Sequence, residues 1–216
     1  MPNASSPLPR LLFLYLLATL SIPARAVPFP HGLFGYRQQQ QDDIRIFGQW
    51  IQVLERHLLE DVAEGDCSEK RFNRCHLRQW QDFLESIRGL PRHEQLDAVN
   101  RYANTKQYVL DIDNYGVEDY WATAREFLYN GGDCEDYALT KMFSLRWLGY
   151  PAGEIRIVVL QDTNLRIPHA VLAVAEGDDI LILDNQAQEM VSHRDIVHYA
   201  PVYSINEEHW WIHTPN

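Results

Sequence analysis

The segment Gly131-Gly132-Asp133-Cys134-Glu135-Asp136-Tyr137-Ala138 sets one thiol between a glycine turn and the first residues of a strongly helical run. A helix N-terminus carries unsatisfied N–H groups and the positive end of the macrodipole, and both favour an anion. A cysteine at that spot is inclined to ionise. The chemistry this permits is nucleophilic attack through a covalent intermediate, provided a base stands nearby. Nine histidines are present, and strand geometry narrows the choice. His169 opens the apolar run 170–175, Asp184 closes the run 180–183, and Glu176-Gly177-Asp178-Asp179 has the composition of a turn between them. In an antiparallel pair joined by an even-numbered loop, these two side chains share one face, opposite or diagonally adjacent. An odd loop would separate them. The run 180–183 is apolar on both faces and so predicts a buried strand, at whose end a carboxylate needs a partner. His169 is suited to be that partner. In return Asp184 would fix the imidazole tautomer and stabilise the imidazolium formed when Cys134 loses its proton. An isolated histidine and aspartate in this arrangement would more commonly be a satisfied core pair, and only the link to Cys134 favours the chemical reading.

The thiol has unusual neighbours. Asp133, Glu135 and Asp136 place negative charge beside a sulfur that must itself become negative, and like charge raises a thiol pKa. Acids in a first helical turn also complement the dipole, as in many ordinary helices. A bound Ca²⁺ would offset the charge, because it favours clustered carboxylate and carbonyl oxygens. Three carboxylates cannot fill its roughly six to eight coordination positions, so backbone oxygens or the Asp113-Asn114 turn would complete the set. The Cys134 backbone N–H is a candidate donor to an oxyanion.

Helices and then strands must position these groups. Phe47, Trp50, Ile51, Leu54 and Leu58 recur at helical spacing, and Phe72, Leu77, Trp80, Phe83, Leu84 and Ile87 predict a second helix. A third is expected over 92–110 and a shorter one over 118–129, with a turn at 111–116 between them. The Cys134 helix should run to about Leu148 and stop at Gly149-Tyr150-Pro151. Beyond it, short runs rich in β-branched residues predict strands at 155–160, 170–175, 180–184, 202–205 and 210–213. The fold class is α+β, with one domain over 42–216 that is helical over 42–150 and an antiparallel sheet over 151–216.

The chain opens with an apolar run, 11–22, too short to span a bilayer and followed by Ala24-Arg25-Ala26, which reads as a secretory signal over 1–26. Residues 27–41, rich in Pro, Gly and Gln, read as an extended polar arm or linker. In an oxidising compartment Cys67 and Cys75 are either a disulfide or two buried thiols, and Cys75-His76 lacks the CxxC partner of a zinc site. The formal charge is -11 and becomes more negative once Arg10 and Arg25 are removed with the signal. Such a balance argues against nucleic acid and anionic lipid as partners, and nothing in the mature chain calls for membrane insertion.

Four segments carry a family resemblance. Glu118-Asp119-Tyr120-Trp121-Ala122-Thr123, the Gly-Asp-Cys-Glu-Asp-Tyr core at 132–137, Pro168-His169-Ala170-Val171-Leu172 and Leu183-Asp184-Asn185 resemble the bacterial transglutaminase-like cysteine proteinases, specifically the LapG-type periplasmic proteases. The resemblance implies a papain-like, transglutaminase-like core with Cys134 as nucleophile, His169 as base and then acid, and Asp184 as orienting residue. It implies calcium dependence through Asp133, Glu135 and Asp136, no organic cofactor, and a second oxyanion donor near Tyr120-Trp121. It further implies cleavage of the N-terminal region of a large surface adhesin at a paired-alanine site, releasing it and dispersing biofilm. The implied inhibitor is an inner-membrane cyclic-di-GMP receptor that sequesters the protease in the periplasm. Two alternatives share the same residues: an acyl transferase acting as transglutaminases do, and a non-catalytic binding module.

Overall fold

The computed structural model describes residues 29–59 and 75–216. In chain order these form β1 (Arg37–Gln41), α1 (Gly48–Leu58), α2 (His76–Ile87), α3 (Arg92–Asn104), α4 (Asp111–Asn114), α5 (Ala124–Asn130) and α6 (Cys134–Leu148). The strands β2 (Ile155–Asp162), β3 (Ile167–Glu176), β4 (Asp179–Leu183), β5 (Val191–Ser192), β6 (Tyr199–Ile205) and β7 (Trp210–Thr214) follow. The sheet has seven strands in the order β1-β7-β6-β2-β3-β4-β5, and every neighbouring pair is antiparallel.

The helix that begins at Cys134 is the centre of the core. From Asp136 to Leu145 every α6 residue is buried, because the helix packs on β3 beneath it and on α3 beside it. Leu139, Met142 and Leu145 meet Trp50, Trp80 and Leu84 from the other helices and Ile157 and Leu172 from the sheet. Truncating one such side chain, as in Leu139→Ala, costs about 2–5 kcal/mol. The start of α6 is therefore fixed by its packing. The opposite face of the sheet is also covered: Val158, Leu160, Val171, Ala173, Ile180 and Ile182 pack with Phe29, Leu33 and Tyr199. Successive residues of β2, β3 and β4 thus feed two apolar layers, which is why these strands are continuous hydrophobic runs.

Several boundaries depart from the sequence expectation. The described part of 27–41 is not a linker. Phe29 and Leu33 are buried anchors, and the Gln run is β1, paired with β7 from Arg37↔Thr214 to Gln41↔Trp210. An edge strand bonds on one side only and keeps its side chains in water, so polar residues serve there without the β-branched signature. The third helix stops at Asn104 rather than 110, and the chain then runs to a bridge between Tyr108 and Gly132. The expected helix over 118–129 starts at Ala124, since Thr123 caps it by accepting from the Glu126 N–H while Glu126 accepts from the Thr123 N–H. Residues 111–114 form one helical turn. Cys75 is disulfide-bonded and Cys134 is free. The proposed signal, 1–26, together with Cys67 and Phe72, lies outside the described residues. Among those described, no helix is long and apolar enough to cross a membrane.

Candidate active site

Two adjacent glycines aim the thiol. Gly131 has φ 74, and a Cβ there would overlap the Gln107 carbonyl oxygen. At Gly132 a Cβ would overlap the Asp136 carboxylate. Only a Gly-Gly turn lets the chain pass this close before α6 begins. Asp136, at the third helical position, then ties the region together: one oxygen accepts the Asp133 N–H at 3.3 Å and the other accepts the Ala122 N–H at 2.7 Å.

The sheet supplies the second group. β3 and β4 are joined through Gly177-Asp178 with Glu176 paired to Asp179, an even loop, so His169 and Asp184 fall on one face. His169 Nε2 lies 2.9 Å from Asp184 Oδ1, which also accepts the Gln186 N–H at 2.9 Å. Asp184 Oδ2 accepts the Tyr199 hydroxyl at 2.6 Å. His169 is 2% exposed and Asp184 3% exposed, so this pair is made in a dry environment. Burial by itself would raise the Asp184 pKa, but the His169 contact, with the Gln186 and Tyr199 donors, outweighs it and holds the carboxyl below its usual range. With Nε2 engaged by Asp184, Nδ1 is the ring nitrogen that this pair leaves unused.

Cys134 and His169 line one cleft of about 420 Å³, shared with Tyr108, Asp119, Trp121 and Tyr203. The thiol donates to Glu135 Oε2 at 3.3 Å, rather than to the imidazole. Burial raises the Cys134 pKa, the Glu135 and Asp133 carboxylates raise it further, and the Ala170 backbone N–H works in the opposite sense. The helix N-terminus is thus overruled by burial first and then by the acids around the thiol.

Those acids form a larger cluster than the three anticipated. Asp111 joins Asp133 and Asp136, and Asp111 with Asp119 joins Glu135, in each case with oxygens within 4.8 Å of one another. Asp111 Oδ1 and Asp133 Oδ1 are buried and have no hydrogen-bond partner. Burial first, and then neighbouring acids, push Asp111 up to about 7 and Glu135 up to about 10. Burial likewise raises Asp133 and Asp136. Oxygen donors this crowded, two of them unbonded, fit a hard cation such as Ca²⁺. Among side chains it is Asp111 that joins the cluster, while Asn114 donates to the Gly131 carbonyl at 3.4 Å and so braces the glycine turn.

Asp111, Asp119 and Tyr199 were not singled out by sequence reasoning. Asp111 stands in a stretch that resembles an ordinary turn, and Asp119 lies inside the matched 118–123 segment, which was the available signal. The Tyr120 N–H, in the segment expected to hold a second oxyanion donor, is already given to Asp111 Oδ2 at 2.6 Å. The Ala122 N–H is likewise committed to Asp136, so neither is free for a substrate.

The bacterial transglutaminase-like cysteine proteinase family matches residues 64–214. Among solved structures, LapG of Legionella pneumophila is similar at 30% identity and TM-score 0.60, covering 74% of this chain and 87% of that one. The calcium-bound form of that protein matches at 27% identity and TM-score 0.59, covering 75% and 86%. Its EGTA-treated form matches at 30% identity and TM-score 0.60, covering 74% and 84%. No curated protein sequence matches the chain. With the family match spanning well over half the chain and the helices-plus-antiparallel-sheet fold shared with LapG, the chain belongs to the bacterial transglutaminase-like cysteine proteinases, a family of cysteine peptidases.

Proposed function

We propose that this chain is an exported, calcium-dependent cysteine endopeptidase in which Cys134 is the nucleophile, His169 the general base and then acid, and Asp184 the orienting residue. The observation that carries the reading is the meeting, in one cleft, of the thiol at the start of α6 and the buried His169–Asp184 pair of the sheet. His169 Nδ1 takes the thiol proton, and the thiolate attacks the scissile carbonyl to form a tetrahedral intermediate, whose oxyanion the Cys134 N–H is placed to receive. The imidazolium, held by Asp184, returns its proton to the leaving amine as the C–N bond breaks. Water, deprotonated by the same ring, then hydrolyses the thioester and frees the thiol.

Asp111, Asp133 and Asp136, with Asp119 and Glu135 at the cleft side, are the residues that would hold Ca²⁺. When bound, the ion would cancel the negative charge that opposes thiolate formation. The calcium-bound form of the similar LapG supports calcium as the ion. The substrate in this reading is the N-terminal region of a large surface adhesin, whose release disperses biofilm. Its setting is the periplasm, and its inhibitor is an inner-membrane cyclic-di-GMP receptor. The test incubates the protein and Cys134→Ala with the N-terminal segment of such an adhesin, in calcium and in chelator. Cleavage lost in the variant and in chelator is expected. Cleavage that survives in Cys134→Ala would refute the nucleophile, and amine incorporation without cleavage would favour an acyl transferase.

A further inference from the structure

The sheet side of the site does not end at Asp184. Its carboxylate has two oxygens with different duties: Oδ1 serves His169 and the Gln186 N–H, while Oδ2 takes the Tyr199 hydroxyl at 2.6 Å. Tyr199 is the first residue of β6, and β2 and β3 lie between its strand and β4, so its ring crosses the outer face of the sheet to reach Asp184. On the way it stands edge-on to the His169 ring, with centroids 5.8 Å apart and planes at 64°. Burial and the charge of Asp184 raise the Tyr199 pKa far above normal, so the phenol is a donor at any working pH.

The N-terminal segment covers this ring from outside. Phe34 stands edge-on to Tyr199, with centroids 5.6 Å apart and planes at 83°. Phe34 has φ 51, a left-handed conformation rare for a side chain other than glycine. Its N–H donates to His193 Nδ1 at 3.1 Å, and the neighbouring Leu33 is fully buried. A strained backbone that persists is held by its surroundings, and here those surroundings include the back of the His169–Asp184 pair.

We infer that Tyr199 is a positioning residue of the active site, fixing the Asp184 carboxylate against rotation through Oδ2, and that Phe34 holds Tyr199 in place. The inference rests on the proposed roles of Cys134, His169 and Asp184. A carboxylate bonded through one oxygen only can turn about its Cβ–Cγ bond and take the imidazole with it. One bonded through both cannot, so the imidazole keeps its orientation. The role gives a use to the segment ahead of β1, which Phe29 and Leu33 anchor as buried side chains.

Tyr199→Phe in the full chain removes one oxygen and keeps the ring. The expected result is a fall in kcat of about 10- to 100-fold with KM for the same peptide within about twofold, the size of one lost hydrogen bond to a charged acceptor. The His169 Nε2–H proton resonance should broaden or move as the carboxylate gains freedom. Phe34→Ala should lower kcat in the same direction by a smaller factor, and it decides the matter if Tyr199→Phe does not fold. A folded Tyr199→Phe with wild-type kcat and an unchanged resonance, or an unaffected Phe34→Ala, overturns the inference. Activity that survives Cys134→Ala overturns instead the reading on which it rests.

Discussion

The two sides of the cleft are built on opposite principles. On the sheet side both Asp184 oxygens are bonded, and the aspartate stays ionised in spite of burial because a histidine, a tyrosine and a backbone N–H all donate to it or lie against it. On the helix side Asp111 Oδ1 and Asp133 Oδ1 are buried without hydrogen-bond partners, and the carboxyl pKa values of Asp111, Asp133, Glu135 and Asp136 are pushed up by burial first and then by neighbouring acids, Asp119 among them. The first side is complete as the chain alone makes it. The second, in the proposed reading, would be completed by a calcium ion among its oxygens. In the proposed reading the fold alone orients the base, whereas ionisation of the thiol would also depend on what the acids hold.

Breaking the sheet side should produce the largest loss. His169→Ala removes the proposed base and acid together and should lower kcat/KM by about 10⁴-fold or more, measured on a peptide substrate in saturating calcium. A loss below tenfold would mean that the pair is structural. On the helix side, Asp111→Asn keeps an oxygen for the Tyr120 N–H but removes a charge. Calorimetry should show calcium binding about 10- to 100-fold weaker, with the fold intact. Unchanged affinity would move the cation elsewhere among the acids.

A third prediction separates the acids from the rest of the molecule. His213 is buried on β7 beside Ser204, and burial first, then Arg156, depress its pKa from 6.5 to about 4. The unfolded chain binds a proton at this site below about 6.5 that the folded chain refuses. The stability it contributes is therefore full above pH 6.5 and is lost as pH falls toward 4, by about 3 kcal/mol. Denaturant midpoints at pH 7.5 and 4.5 should show this drop, and His213→Gln should flatten it whatever the calcium level. The smallest effect is expected at Lys141, fully buried on α6 with an amine that has no hydrogen-bond partner and a pKa lowered by burial to about 7. Lys141→Met should raise stability by about 1–2 kcal/mol, read as a higher melting temperature. A lower one would show that its charge beside Asp184 is needed.

What the sequence disclosed follows the same division. The β3–β4 turn is two residues long, so side-chain alternation alone brings His169 and Asp184 together, and the apolar run 180–183 announces a strand covered on both faces. The start of α6 was legible because a Gly-Gly turn before Asp133-Cys134 has few other uses. Groups gathered over long distances were not. Asp111 reaches the cluster because the chain leaves α3 at Asn104 and is pinned where Tyr108 meets Gly132, a contact with no local signature. Tyr199 looks like any core aromatic, and its target lies three strands away. The Gln run of β1 pairs through its backbone, so its side chains carried no strand signal.

The most direct test of the central claim is the alkylation rate of Cys134 with iodoacetamide near neutral pH, in calcium, compared between the wild-type protein and His169→Ala. The account predicts a wild-type thiol that reacts far faster than a free cysteine and loses that advantage in the variant or in chelator. A Cys134 no more reactive than a free thiol in calcium, or equally reactive without His169, would contradict it.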